Sequence, residues 1–396
     1  MTPTTRVVAL RKARHRVLGA VLAVTALALA ACTSSGSNTA GTSNDTSGST
    51  ANSSAATSTG AISAAPSGDS DQGPTSANPV TIHAELAPGV IYAPLYVGAE
   101  QGIFLKHGID LKIDVVSTAS QAIQALQANK AQVAATAWPS MVTAVVAGVP
   151  LKAFAVVTGK PDIPNYDENL ALVVRPGVTA TTEAGLKGMK VATQFGGGSE
   201  TWCRASPRAA GLDPDKDVTL VNAKSTDFLA LLESGGADAA CAVEPYPSLV
   251  VAKLPGSRIL VRGGSVSESR ILLDSLSSWL ASNAVVAEHV LAGLLDSQQY
   301  MQTHFDQAVT ATSHYLSGID PEVLTAALKP IDFDGAWSDT LKTSFEDSSQ
   351  ILVDNGTIKT KPNTDDLLDQ PLLNLIATKY SQYLTSGAGS AAPSAS

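Results

Sequence analysis

Between Val80 and Leu384 the apolar positions come in short strand-like runs and longer runs at helical spacing, in alternation. Val80–Leu86 is rich in β-branched residues and predicts a first strand. After Pro88 and Gly89 an apolar helix is expected over residues 91–101, stopped by Gly102. The rhythm continues with expected strands at 111–116, 132–137 and 152–157, a helix capped by Ser120, and another helix over 141–147. A second cycle predicts strands at Leu170–Val174, Lys190–Thr193, 218–221 and 237–243, with helices at 200–210 and 227–233. Strands alternating with helices imply mainly parallel sheets covered on both faces. Beyond Ser282 the pattern turns helical, over 285–316, 321–327 and 338–354. Two cycles of similar length predict two α/β lobes, with the helical C-terminal part packed back onto one of them.

The N-terminal pattern is of another kind. Five bases (Arg6, Arg11, Lys12, Arg14, Arg16) precede an apolar run from Val17 to Ala31 that ends at Cys32. The run suits a secretory leader and is short for a membrane span, which needs about 20 apolar residues. Leu29-Ala30-Ala31-Cys32 resembles the lipobox of bacterial lipoproteins, which implies lipidation of Cys32 and an extracytoplasmic, tethered protein; an ordinary secretory leader with an incidental cysteine is the alternative. From Thr33 to Asn78 the chain is mostly Ser, Thr, Ala, Gly and Asn, with three acids and no base or aromatic residue. Such a segment cannot bury enough apolar surface to order itself and is expected to be a flexible stalk. Residues 386–396 read the same way.

Charge then narrows the partners. The 396 residues carry a formal −9, but without residues 1–32 there are 21 bases against 35 acids. A body so acidic is a poor binder of polyanions, so nucleic acid is excluded as a partner.

Several motifs in order resemble one family. They are Pro94-Leu95-Tyr96-Val97-Gly98-Ala99-Glu100-Gln101-Gly102-Ile103-Phe104, Gly108-Ile109-Asp110-Leu111, Gln121-Ala122-Ile123-Gln124-Ala125-Leu126, Leu186-Lys187-Gly188-Met189-Lys190-Val191-Ala192, and Ala237-Asp238-Ala239 leading to Glu244-Pro245-Tyr246. Together they resemble substrate-binding proteins of ABC transporters of the sulfonate, nitrate, taurine or thiamine-precursor type. Asn129-Lys130-Ala131-Gln132 departs from that pattern at a surface turn. The resemblance implies a two-lobed, periplasmic-binding-protein-like fold of type II with a ligand cleft between the lobes. The corresponding division is a leader at 1–32, a stalk at 33–78, lobe I at 79–165 plus 283–385, and lobe II at 166–282. Partners would be a small-molecule ligand, an ABC permease with its ATPase, and the membrane through a lipid anchor.

In such a fold the ligand lies beyond the carboxyl ends of the strands, which nominates the loops there. Tyr92 offers a ring and a hydroxyl to a ligand, or packs at a helix start. Trp138, between a buried strand and Pro139, could stack on a flat or cationic ligand or fill the core; Ser140 and Thr158 are further candidates. Gly196-Gly197-Gly198-Ser199-Glu200-Thr201 permits close backbone approach, with Ser199 placed to cap the next helix and a free helix N-terminus suited to an anion. Gly198, Ser199 and Thr201 are therefore candidate contacts. Glu244 could accept from a ligand amine or brace the hinge, and Tyr246 lies beside it; Ser277, Ser278 and Trp279 are expected on a return strand. Cys203 and Cys241 are the remaining thiols, expected to be bonded outside the cytoplasm.

No metal-ligand spacing, nucleophile elbow or P-loop is present, so no cofactor and no metal are expected, and the chain reads as a binder rather than an enzyme. An enzyme on the same fold, of the pyrimidine- or menaquinone-synthesis kind, and a surface sensor are the alternatives. Tyr92, Trp138, Tyr246 and Glu244 lean toward an organic ligand with a ring or an amine.

Overall fold

The computed structural model describes residues 73–159, 168–264 and 266–384, all within one unit of the chain, Gly68–Ser396. Cys32, the stalk as far as Gln72 and the tail from Thr385 lie outside the described residues.

Among the described residues, ten strands form two five-stranded sheets. In the first are β1 (Val80–Leu86), β2 (Ile109–Val115), β3 (Val133–Ala137) and β4 (Leu151–Val156). In the second are β5 (Leu170–Val174), β6 (Lys190–Thr193), β7 (Thr219–Asn222), β8 (Ala239–Val243) and β9 (Arg258–Arg262). The last strand, β10 (Ile271–Leu276), returns to the first sheet, so the orders are β2-β1-β3-β10-β4 and β7-β6-β8-β5-β9. In each sheet one strand runs against the rest: β10 is antiparallel to β3 and β4, and β5 to β8 and β9. Both reversed strands are the first after the chain has crossed from one sheet to the other.

The division expected at 282 therefore moves back. β10 pairs Ile271 with Ala137 and Asp274 with Ala134, which places it in the first lobe. Its residues are buried nearly throughout, so no alternation marks them. Ser277, Ser278 and Trp279 are not on that strand but in the helix Ser277–Ser282 behind it.

Local chemistry shifts other boundaries. Thr118, not Ser120, caps the helix Ala119–Gln127, its hydroxyl accepting from the Gln121 N–H at 3.2 Å. The helix expected at 141–147 begins at Trp138, because Pro139 fits a first turn, whose N–H groups lack intrahelical partners anyway. The long helical run breaks at His304 into Ala284–Thr303 and Phe305–Tyr315.

The first lobe has one continuous core, in which Leu291, Leu294, Phe345, Leu373 and Ile376 of the C-terminal helices meet the sheet. The second sheet divides by strict period two. Leu170, Leu172, Val174 and Cys241 face one cluster with Trp202 and Cys203; Val173, Ala240 and Ala242 face another with Phe228 and Val250.

Candidate functional site

The carboxyl ends of β1, β2 and β3 face those of β6, β7 and β8 across a cleft whose cavity volume is about 250 Å³. The first lobe lines it with Tyr92, the segment 117–120, and Ala137 and Ser140; the second with residues 194–199, 224–226 and Tyr246. Ser269 and Ile271 come from the return segment.

Of the expected contacts, Tyr92, Ser140, Gly198, Ser199 and Tyr246 meet in this cleft. The Tyr92 and Tyr246 rings are buried, and burial pushes both hydroxyls above the ordinary tyrosine range, with Asp274 adding to the effect at Tyr92. Neither hydroxyl proton will be shed near neutrality, so both remain donors.

Four expected contacts lie elsewhere. Trp138 is fully buried, stacks on Phe345 at 4.2 Å, and donates its Nε1–H to Phe345 O at 2.9 Å and Ser349 Oγ at 3.0 Å. It sits on the first turn of a helix whose side chains point back into the lobe, and its indole N–H is already satisfied. Thr158 accepts the Ile271 N–H at 3.1 Å and pins β4 to β10 away from the cleft. Thr201 turns its hydroxyl onto Gly197 O at 3.2 Å.

Glu244 is fully buried and ion-paired with Arg262, and it accepts from Ser248 N–H at 3.2 Å and Ser248 Oγ–H at 2.9 Å. Burial pushes its carboxyl up, while the guanidinium and the Ser248 hydrogen bonds oppose that rise. All these partners belong to the second lobe, so Glu244 ties β8 to β9 and neither lines the cleft nor bridges the lobes.

The helix Gly198–Ala209 opens onto the cleft with Gly197 at its N-cap and no side-chain cap, so Ser199 lies inside the first turn instead of capping it. Glu200 is turned away: its Oε2 accepts the Gly196 N–H at 2.8 Å and its Oε1 pairs with Arg204 at 3.0 Å. The first N–H groups of this helix thus face the cavity without a capping partner.

Two lining residues are not among the expected contacts. Lys224 follows the short strand β7, is exposed at the rim, and makes no ion pair among the described residues. Ser269 belongs to the return segment, whose position depends on distant pairing. Among the described lining residues there is no Asp, Glu, Arg or His, and Lys224 is the single charge. Cys203 and Cys241, with Cα atoms 5.7 Å apart, have their sulfurs placed as a disulfide between this helix and β8. Among the described residues no group of three or more His, Cys, Asp or Glu could hold a metal ion.

Residues 91–308 match the model of a family described as NMT1/THI5 like. Among curated proteins, the bicarbonate-binding protein CmpA of Synechococcus is 23% identical over 251 residues, covering 58% of this chain and 56% of that one. The chain thus spans little more than half the length of that relative. Among solved structures, the periplasmic aliphatic sulphonate binding protein SsuA from Escherichia coli superposes with a TM-score of 0.63 at 19% identity, over 74% of this chain and 93% of that one. The desulfurization enzyme DSZB shares the fold more distantly, with a TM-score of 0.55 at 15% identity, over 76% of this chain and 99% of that one.

Proposed function

Because the chain belongs to the NMT1/THI5-like family, we propose that it is the extracytoplasmic, solute-capturing component of an ABC importer, and that its ligand is a small organic anion. The observation that carries this reading is the charge of the cleft. In a chain with a large excess of acids, the described lining has no carboxylate, one unpaired lysine and an uncapped helix N-terminus. Lys224 and the positive end of the helix dipole both favour negative charge. The Tyr92, Phe195 and Tyr246 rings and a cavity of about 250 Å³ leave room for an apolar body behind the charged head. Short alkanesulfonates fit that description better than a bare inorganic ion. A ligand amine loses its expected partner, since Glu244 is committed to Arg262.

A lining whose described residues include no His, Cys, Asp or Glu supports capture without chemistry, although an enzyme shares the fold. Lipidation of Cys32, a flexible stalk at 33–78 and delivery to a permease and its ATPase complete the reading; intact-mass measurement of the membrane-extracted protein, against Cys32→Ala, tests the anchor.

The first test is a thermal-shift and calorimetric panel of alkanesulfonates, taurine, nitrate, bicarbonate, pyrimidine thiamine precursors and amino acids on the full chain. An anion at about 100 times its dissociation constant adds about 2.7 kcal/mol and raises the melting temperature by several degrees. Lys224→Gln should weaken that anion by about tenfold and flatten its salt dependence, with the unliganded melting temperature unchanged. A panel in which only cations or neutral heterocycles bind overturns the anion reading.

A further inference from the structure

The cleft contains a hydroxyl that the fold leaves unused. Ser269 is 2% exposed, it lines the cleft, and its Oγ has no hydrogen-bond partner. A buried hydroxyl without a partner costs free energy, so it persists where something else satisfies it.

Its surroundings point to what that is. A Cβ built on Gly198, the first residue of the uncapped helix, would stand 3.1 Å from Ser269 Cβ, 3.2 Å from Ala137 Cβ and 3.8 Å from Ser269 Oγ. One built on Gly197 would stand 3.3 Å from Ser140 Oγ. The helix N-terminus, two hydroxyls and the end of β3 therefore converge on one spot, and glycine at 198 is what lets them approach. The backbone around Ser269 is held on each side. The Arg270 N–H donates to Glu268 Oε1 at 2.9 Å, Ser348 Oγ–H donates to Glu268 O at 2.8 Å, and Ile271 N–H is bound by Thr158. A donor on so fixed a segment is suited to a ligand in one position.

We propose that Ser269 is a ligand-binding and specificity-determining residue: its Oγ–H, with the open first turn of Gly198–Ala209, holds the anionic head of the solute. The inference rests on the reading of the cleft as an anion site given above. Ser269 lies on the segment that carries the chain back from β9 to β10, so the anion bridges this connection to the helix of the second lobe. The hydroxyl supplies a directed hydrogen bond that the negative charge of the head strengthens.

Ser269→Ala tests this in the full chain, with Ser267→Ala as control. Ser267 is also buried with an unpartnered hydroxyl, but it does not line the cleft. Methane-, ethane- and butanesulfonate, acetate, nitrate and bicarbonate are the probes, read by calorimetry and by melting of the unliganded proteins. The expected result is at least tenfold weaker binding of the preferred anion by Ser269→Ala, with no fall in its unliganded melting temperature and no change in binding by Ser267→Ala. Binding by Ser269→Ala equal to that of the unmodified chain, or an equal loss in both variants, overturns the role of Ser269 while leaving the anion site standing. An unmodified chain that binds none of the probes removes the anion reading itself, and this inference with it.

Discussion

The two lobes share one strand order, and in each the reversed strand occupies the fourth place, yet they are held together differently. The first sheet is covered by the C-terminal helices, and its buried side chains form a single cluster from Ile82 to Ile376. Among the described residues, the buried apolar side chains of the second come from its own strands and the helices and loops between them and form two small clusters, one on each face. It adds ties of another kind: the Cys203–Cys241 pair, Arg175 on Asp238 at 2.7 Å, and the buried Glu244 on Arg262. The difference separates stability from recognition. Bulk apolar burial is concentrated in the frame that the C-terminal helices complete, whereas the thinner lobe carries the glycine loop and Lys224, and so most of the groups that favour an anion.

The strongest test of this contrast is Trp138, which joins the first sheet to the helix Asp339–Asp354. Trp138→Ala should destabilise the chain by about 3–5 kcal/mol, with hydrogen exchange quickening in the first lobe and ligand affinity nearly unchanged. Lost affinity with unchanged stability would restore Trp138 to the pocket and break the contrast.

Replacing both Cys203 and Cys241 by Ala should cost less, about 2–4 kcal/mol, with faster exchange confined to the second lobe. A loss spread evenly over both lobes would show that their stabilities are not separable. Intact mass without reductant checks the bond itself, as two fewer hydrogens.

The smallest effect is expected at the connection between the lobes. Burial pushes the Glu268 carboxyl up to about 7, against the opposing pull of Arg270. The folded chain then keeps this proton at pH values where the unfolded chain has released it. The stabilising contribution is complete below about pH 4.5 and is lost as pH rises through about 7. The difference in unfolding free energy between the unmodified chain and Glu268→Gln should therefore shrink over that interval, by at most about 3 kcal/mol. A difference independent of pH from 4 to 8 would exclude proton binding at Glu268 from the stability of the connection.

Much of this was visible in the linear chain. β1, β5 and β6 appear at the expected bounds because β-branched runs between turn residues have few other places to go. Tyr92, Ser140, Tyr246 and the glycine loop were expected in the cleft from one rule, that residues just after a strand lie at its carboxyl end, and they line it. Trp138 and Glu244 obey the same rule and do not line the cleft. Their local sequence resembles that of the others; what differs is a partner on another element, Phe345 207 positions on for one and Arg262 of the neighbouring strand for the other.

The sequence by itself determined the order and type of most elements, the division into two α/β cycles, the family and the loops that could reach a ligand, because these follow from periodicity and near neighbours. Only the tertiary structure decided that β10 returns to the first sheet, that Trp138 and Glu244 turn away from the cleft, and that Ser269 lines it. Those outcomes depend on which group of another element occupies the space beside each residue, and pairing between separate elements, whether 18 positions apart as for Glu244 and Arg262 or more than a hundred as for Ile271 and Ala137, leaves no periodic mark on the chain.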